Sequence, residues 1–187
     1  MIVKDNTRQG IESKLSTMGD YVRIDFLSRC LKNNLDFDTR KFVLTTISRL
    51  YEQRNMFNDA ARALRNSAEI NPTFQGKIND MVKSAQLFVK GGSYDDAEAD
   101  IKRALSACNE IQKPGVINKI KEFYFAQANE FIAKDKRKNA AEVYERLLDK
   151  NLSPNEKRDI QTKLLNIYNA LGRISDYQRM KKSLNVL

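Results

Sequence analysis

The stretch from Tyr51 to Pro72 reads YEQRNMFNDAARALRNSAEINP and predicts two helices joined by a short turn. A helical run that begins near Thr39 is interrupted by the turn-prone segment 55–58, and a second run resumes at Asp59. The apolar residues of the second run recur every three or four positions: Ala60, Ala61, Ala63, Leu64 and Ala68. Because most of them are methyl groups, a neighbouring helix is expected to approach this face closely, and Pro72 ends the helix.

The spacing of these residues resembles a known helical repeat. It is similar to the tetratricopeptide repeat, a helix-turn-helix unit of about 34 residues, in which the first slot usually holds Trp. In this chain Leu44 occupies that slot, and the other matching positions are Ile47, Ser48, Tyr51, Ala60, Leu64 and Pro72. The resemblance implies an all-α fold in which helical hairpins stack into a right-handed superhelical solenoid.

An aromatic residue recurs along the chain at a similar spacing. Tyr51, Phe88, Phe131 and Tyr168 are separated by 37, 43 and 37 residues. We therefore expect one domain, 1–187, of about five antiparallel helical hairpins. The predicted units are an atypical N-terminal capping hairpin, 7–36, and repeat hairpins over 39–72, 77–112, 116–150 and 154–185.

Local signals place two of the helix boundaries. Gly91 and Gly92 predict a turn, since glycine adopts the left-handed conformation that closes a helix, and Ser93 is expected to cap the helix that follows. We expect that helix to continue to about Gln112. Further on, the segment Ser153-Pro154-Asn155-Glu156 has the pattern of a capping box with proline in the first helical position.

The composition is that of a helix-rich protein without a membrane span. Of the 187 residues, 41% are hydrophobic and 30% are charged, with seven glycines and three prolines. No apolar run reaches the length of a membrane span, and the first residues lack the apolar segment of a signal peptide. These features favour a cytoplasmic protein. Cys30 and Cys108 lie among apolar helix residues, so we expect two reduced, buried thiols.

The sequence offers little for catalysis. It contains no histidine, which removes the commonest general base and metal ligand, and it has no glycine-rich phosphate loop, CxxC pair or nucleophile elbow. The acidic run from Asp95 to Asp100 is compatible with a divalent cation, but acidic residues also suit the positive end of a helix dipole. We expect no enzyme activity, no cofactor and no metal site.

A binding groove is the function that the resemblance implies. In tetratricopeptide repeats the first helix of each hairpin lines the inner curve, so its polar residues face a ligand. The positions that this implies are Arg49, Gln53, Lys83, Gln86, Lys90, Asn129, Lys163, Asn166 and Asn169. Such a polar, basic groove suits an acidic or extended segment of another protein, and the chain would act as an adaptor or scaffold. An ordinary solvated helix face is the alternative.

Positive charge suggests a second function. The chain carries 33 basic and 24 acidic residues, a formal charge of +9. Two dense clusters are candidates for contacts to phosphate or RNA: Lys134, Lys136, Arg137 and Lys138, and then Arg179, Lys181 and Lys182. They are compatible with docking on a ribosome or another ribonucleoprotein, or with solvated surface. The apolar residues of the last segment, SLNVL at 183–187, leave a homodimer open as well.

Overall fold

The computed structural model describes residues 7–185 of the chain, and within this range every side chain except those of Asp20 and Asn185. The described chain is all-α, with ten helices and no strand. The helices are α1 (Arg8–Ser16), α2 (Asp20–Cys30), α3 (Phe37–Gln53), α4 (Phe57–Ile70), α5 (Phe74–Lys90), α6 (Tyr94–Ala107), α7 (Lys113–Ala133), α8 (Arg137–Leu148), α9 (Pro154–Ala170) and α10 (Ile174–Asn185).

The chain divides into two compact units, one up to Val116 and the other from Ile117 onward. In unit 1, α1 and α2 both pack on α3, α3 packs on α4, α4 on α5 and α5 on α6. In unit 2, α8 packs on α9 and α9 on α10. From α2 to α6 in unit 1, and from α8 to α10 in unit 2, helices that are neighbours in the sequence therefore pack on each other.

The alanine-rich face of α4 is buried and closely packed, as its sequence predicts. Ala60, Ala61 and Ala68 are completely buried. Because these side chains are so small, side chains of the adjoining helices reach the backbone of α4. Ser48 Oγ on α3 lies 2.8 Å from the carbonyl oxygen of Ala60, and Ser84 Oγ on α5 lies 2.9 Å from that of Ala61. Helices α3 and α5 therefore both lie close against α4.

Four turns between helices share one geometry. In each, a residue with positive φ follows an aromatic residue by four positions: Asn55 (φ 58°), Gly92 (75°), Asp135 (52°) and Gly172 (68°). The next backbone N–H donates to the carbonyl of that aromatic residue at 2.8–2.9 Å, in the six-residue bond of a Schellman motif: Met56 to Tyr51, Ser93 to Phe88, Lys136 to Phe131 and Arg173 to Tyr168. The spacing of 37, 43 and 37 residues is thus also the spacing of a repeated turn.

Helix ends confirm some expectations and correct others. The Ser153–Glu156 capping box is present, and α4 ends at Ile70 before Asn71 and Pro72. The expected cap from Ser93 is wrong in one respect: the residue stands at the N-cap of α6, but its side chain makes no capping hydrogen bond.

The expectation that α6 continues to Gln112 is also wrong, since α6 ends at Ala107. Asn109 and Gln112 exchange side-chain-to-backbone hydrogen bonds at 2.9 and 3.1 Å. This reciprocal pair stabilises a turn ahead of α7, which begins at Lys113.

Cys30 and Cys108 are both buried and unbonded to each other, as expected for core thiols. In the described part of the chain, no helix combines the length and the apolar character that a bilayer crossing requires. Val186 and Leu187, on which the expectation of a homodimer partly depended, lie outside the described residues.

Candidate binding surfaces

Helix α3 presents a polar stripe opposite its buried face. Val43 and Ile47 are at most 3% exposed and hold one side of the helix in the core. Arg49 and Gln53 are exposed on another side, and Glu52, half-buried, lies one position from Gln53 and three from Arg49. Positions three and four apart share a helix face, so these three residues form one stripe.

Helix α5 supplies a matching stripe, and a shared carboxylate joins the two. Lys83, Gln86 and Lys90 are three and four residues apart and half-buried. Glu52 Oε1 lies 3.1 Å from Lys83 Nζ and 3.8 Å from Lys90 Nζ. The structure therefore brings five of the predicted groove residues onto one surface of unit 1. We call it the basic face: Arg49, Glu52, Gln53, Lys83, Gln86 and Lys90.

The charge of the basic face is only partly neutralised. The face holds three cations, Arg49, Lys83 and Lys90, and one carboxylate, Glu52, which pairs with the two lysines; the side chains of these lysines remain 42% and 34% exposed. Lys90 Nζ also lies 5.6 Å from the centre of the Phe57 ring, a cation–π contact. The ion pairs of the two lysines are weak and exposed, and the basic face keeps a net charge of +2.

The remaining groove residues lie in unit 2 and form a row of their own. Lys163, Asn166 and Asn169 recur every three residues along α9, with both asparagines exposed. Lys163 pairs with Asp159 on its own helix at 2.7 Å, and its Nζ lies 5.9 Å from the Tyr144 ring.

Tyr144 connects this row to the fourth predicted residue. Its hydroxyl donates to Asn129 Oδ1 of α7 at 2.9 Å, and burial raises the pKa of that hydroxyl, so it stays a donor. Asn129 is thereby held with its amide group engaged. Its capacity for a ligand is smaller than the sequence alone indicates, since one acceptor position is already used.

The basic turn, residues 134–138, is exposed throughout. Lys134 pairs with Glu130, and Arg137 Nε lies 3.0 Å from Asp135, the residue with positive φ. Lys136 and Lys138 have no ion-pair partner among residues 7–185. About half of the predicted cluster is therefore neutralised locally, and the charges of Lys136 and Lys138 are not.

The second basic cluster is arranged in a similar way. Arg179 is 80% exposed and donates to Asp176, whereas Lys181 and Lys182 are exposed on the last turns of α10. Residues 117–187 contain 15 basic and nine acidic residues, a net charge of +6, so unit 2 holds most of the +9 of the chain. The positive field is therefore concentrated in unit 2.

The acidic run on α6 has a partner inside the protein. Arg65 of α4 donates to Asp96 at 3.0 Å and to Asp100 at 2.8 Å, and Asp100 is completely buried. Two carboxylates that were candidates for a cation thus bind a guanidinium. Among the described residues, no group of three or more acidic or cysteine side chains is arranged to hold a metal ion.

Glu52 is the member of the basic face that sequence reasoning missed. The signal for it was available: it lies three residues after Arg49, and the same rule of three and four that selected the lysines of α5 selects it on α3. A carboxylate does not itself suit an acidic ligand. Its position shows that it organises the cations instead.

No family model matches this chain. No curated protein matches its sequence either. Among solved structures, it is similar to the crystal structure of BtubC (BKLC) from P. vanneervenii, with a TM-score of 0.41 and 14% sequence identity, over 94% of this chain and 78% of that one.

Proposed function

We propose that this chain is a non-enzymatic adaptor of the tetratricopeptide-repeat type, which binds an acidic or extended segment of another protein through its basic face. The observation that carries the proposal is the cluster around Glu52. Glu52 of α3 pairs with both Lys83 and Lys90 of α5, and Arg49 is exposed on the same stripe of α3 as Glu52. A surface of this kind is ready to exchange its weak internal pairs for the carboxylates of a ligand.

The recurring turns support the repeat character of this proposal. Four Schellman turns occur at the spacing of the aromatic residues, and each is followed two residues later by the start of a helix. Helices joined by such tight, equal turns suit antiparallel hairpins, and stacked hairpins suit a right-handed superhelix. In that arrangement α3 and α5 are first helices, whose exposed faces are the ones that a ligand meets.

The chemistry of binding follows from the groups available. Lysine and arginine donate charge-assisted hydrogen bonds to carboxylates, and the amides of Gln53 and Gln86 both donate and accept, so they suit a peptide backbone. The row on α9 offers the same chemistry in unit 2 with Asn166 and Asn169. An extended segment with acidic side chains satisfies both kinds of group.

The experiment is affinity isolation from an extract of the source organism at about physiological ionic strength, with half of each sample treated with ribonuclease. The basic-face variant combines Arg49→Glu with Lys83→Gln and Lys90→Gln. Glutamine is used at the two lysines because each faces a carboxylate, and a second one there would repel it. A protein that survives ribonuclease, binds wild type and is lost by this variant supports the adaptor.

A second candidate function is docking on a ribonucleoprotein, which the exposed Lys136 and Lys138 and the +6 charge of unit 2 favour. Each phosphate contact releases a counterion, so such binding falls steeply with salt. The corresponding variant is Lys136→Glu with Arg137→Glu and Lys138→Glu. Partners that disappear with ribonuclease and are lost by this variant would replace the adaptor proposal.

If neither variant changes the recovery of any partner that wild type isolates, both surface assignments are wrong. Circular dichroism of each variant serves as the folding control, since all six substituted side chains are exposed or half-buried. A partner lost by both variants would indicate one continuous electrostatic attraction rather than two separate surfaces.

A further inference from the structure

An open cavity lies in unit 1, away from the basic face. It has a volume of about 560 Å³ and is lined by residues of α4, α5 and α6, chiefly Glu69, Phe74, Lys77, Met81, Lys102 and Arg103. Met81 is 3% exposed and packs against two buried alanines, so the apolar floor is recessed. We call this the α5 cavity.

The rim of the α5 cavity is positively charged. Lys77, Lys102 and Arg103 stand around it, and the one carboxylate, Glu69, pairs with Arg103 at 3.3 Å. Both members of that pair are 54% exposed, so it is weak and exchangeable. Two positive charges have no counterpart in the cavity, which is complementary to an anionic ligand.

Exposed apolar side chains also lie next to the α5 cavity, and a small anion alone would not cover them. Phe74, the first residue of α5, is 76% exposed, although a phenyl ring gains much from burial. The next residue, Gln75, accepts a hydrogen bond of 2.8 Å from Gln112, which follows the 91% exposed Ile111. Phe74 and Ile111 are thus each next in sequence to one partner of the Gln75–Gln112 hydrogen bond. Exposed apolar groups with a polar rim are typical of interaction sites.

Helical geometry separates this cavity from the basic face. Lys77 and Lys83 are six residues apart on α5, which places them about 120° apart around the helix axis. Lys83 is directed toward α3 by its bond to Glu52, whereas Lys77 lines a space shared with α4 and α6. A single side chain of a ligand therefore cannot contact the basic face and the α5 cavity at the same time.

We propose that the α5 cavity binds an acidic peptide segment of a partner protein, with one large apolar side chain inserted beside Phe74 and over Met81. The cations of the rim match the acidic residues of the segment, and the recessed floor matches its apolar side chain. A flat bilayer does not reach that floor, and single-stranded nucleic acid is usually held by several aromatic platforms, of which the cavity has one. The surface is additional to the basic face of the proposed function.

The test uses the full-length chain and short fluorescein-labelled synthetic peptides, with binding followed by fluorescence anisotropy at about 0.15 M ionic strength. The first peptide contains glutamates on both sides of one phenylalanine. In the second, serine replaces the phenylalanine, and in the third, glutamine replaces every glutamate. We expect the first peptide to bind, and each of the others to bind at least about tenfold more weakly.

Variants then locate the binding. Phe74→Ala is expected to lower the affinity for the first peptide at least about fivefold, and Lys77→Glu with Lys102→Glu at least about tenfold. The matched control for charge is Lys119→Glu with Lys157→Glu, both exposed and outside every surface named above. It removes the same charge and is expected to change the affinity less than about threefold.

Several results would overturn the proposal. One is the absence of binding of any acidic peptide at the highest usable concentration. Another is an affinity that Phe74→Ala leaves unchanged. The third is a loss on Phe74→Ala that affects an RNA oligonucleotide or anionic vesicles but spares the peptide, which would assign the cavity to those ligands.

The basic-face variant makes the two proposals separable. It is expected to retain the preference for phenylalanine over serine in the peptide, because that preference belongs to the α5 cavity. If the basic-face variant loses peptide binding and Phe74→Ala keeps it, the α5 cavity is rejected and the proposed function stands. If Phe74→Ala loses peptide binding and the basic-face variant keeps it, the α5 cavity is supported and the basic face is not.

Discussion

Asp100 is a completely buried carboxylate in unit 1, and replacing it with asparagine tests the packing of α4, α5 and α6. Its Oδ1 and Oδ2 accept from Arg65 Nε at 2.8 and 3.1 Å, and Ser84 Oγ lies 2.7 Å from Oδ2. Arg65 also donates to Asp96 and stacks 4.5 Å from the Phe88 ring. The network thus joins three helices through one charged group.

The cost of Asp100→Asn follows from these contacts. Breaking a buried ion pair by removing one partner costs about 3–5 kcal/mol, because the other charge is left without compensation. Here the side chain of Arg65 is 24% exposed and keeps its bond to Asp96, so we expect Asp100→Asn to lower the free energy of unfolding by the lower end of this range, about 3 kcal/mol. Asp96 pairs with the same guanidinium, but its carboxylate is 45% exposed. We therefore expect Asp96→Asn to lower the free energy of unfolding by at most about 1 kcal/mol.

Chemical denaturation followed by far-ultraviolet circular dichroism measures both variants against wild type. The two substitutions are isosteric and act on the same arginine, so they differ chiefly in the burial of the carboxylate. The expected result is a free energy of unfolding lowered by about 2 kcal/mol more in Asp100→Asn than in Asp96→Asn. Equal effects, or a larger effect of Asp96→Asn, would refute the argument that burial of Asp100 makes this pair structural.

Three further predictions concern the turns, the acid stability and the thiols. Gly92 has φ 75°, whereas Gly115 does not have a positive φ, and neither has an atom near an added Cβ. Gly92→Ala should therefore lower the free energy of unfolding by about 1 kcal/mol, because alanine is strained at positive φ. Gly115→Ala should raise it by up to about 1 kcal/mol, because alanine restricts the unfolded chain. Hydrogen bonds from Lys121 and from the backbone N–H of Ser153 lower the pKa of the Glu156 carboxyl to about 2. Because the folded pKa is below the ordinary 4.5, this stabilisation is complete above pH 4.5 and is lost as the pH falls toward 2. Glu156→Gln should therefore flatten the pH dependence of the free energy of unfolding between pH 4.5 and 2. Burial raises the pKa of Cys108, so iodoacetamide should alkylate it at least about tenfold more slowly in the folded than in the urea-unfolded chain, as mass spectrometry of the modified peptide would show.

Each of these has an outcome that contradicts it. Alanine with the same effect at both glycines would show that the positive φ of Gly92 does not matter to stability. Parallel loss of stability in wild type and Glu156→Gln between pH 4.5 and 2 would show that the lowered pKa of Glu156 does not stabilise the fold. Equal alkylation rates of Cys108 in the folded and unfolded chain would show that its environment is open to solvent.

Local sequence signals predicted the elements whose causes are local. The methyl groups of Ala60 and Ala61 predicted the close approach of neighbouring helices, and Ser153 with Glu156 predicted the start of α9. These features depend on side chains within a turn or two of each other, so periodicity and capping rules reach them.

The features that were missed depend on contacts or on competing signals. The sequence predicts too late an end for α6 because no proline or glycine interrupts the run before Pro114, and the capping-box spacing of Asn109 and Gln112 is the competing signal. Neither the pairing of Glu52 with two lysines of α5 nor the recess next to Phe74 follows from one helix alone. Both require knowing which helices are adjacent, and the pattern of a single helix does not contain that.

The central claim is that the basic face binds a segment of another protein, and amide hydrogen exchange of the bound complex tests it most directly. The chain would be saturated with the ribonuclease-resistant partner isolated above, and exchange would be compared with the free chain. Slower exchange over α3 and α5, absent in the Arg49→Glu variant, is the predicted result. Protection confined to residues 134–138 and α10, with α3 and α5 unchanged, would contradict the account.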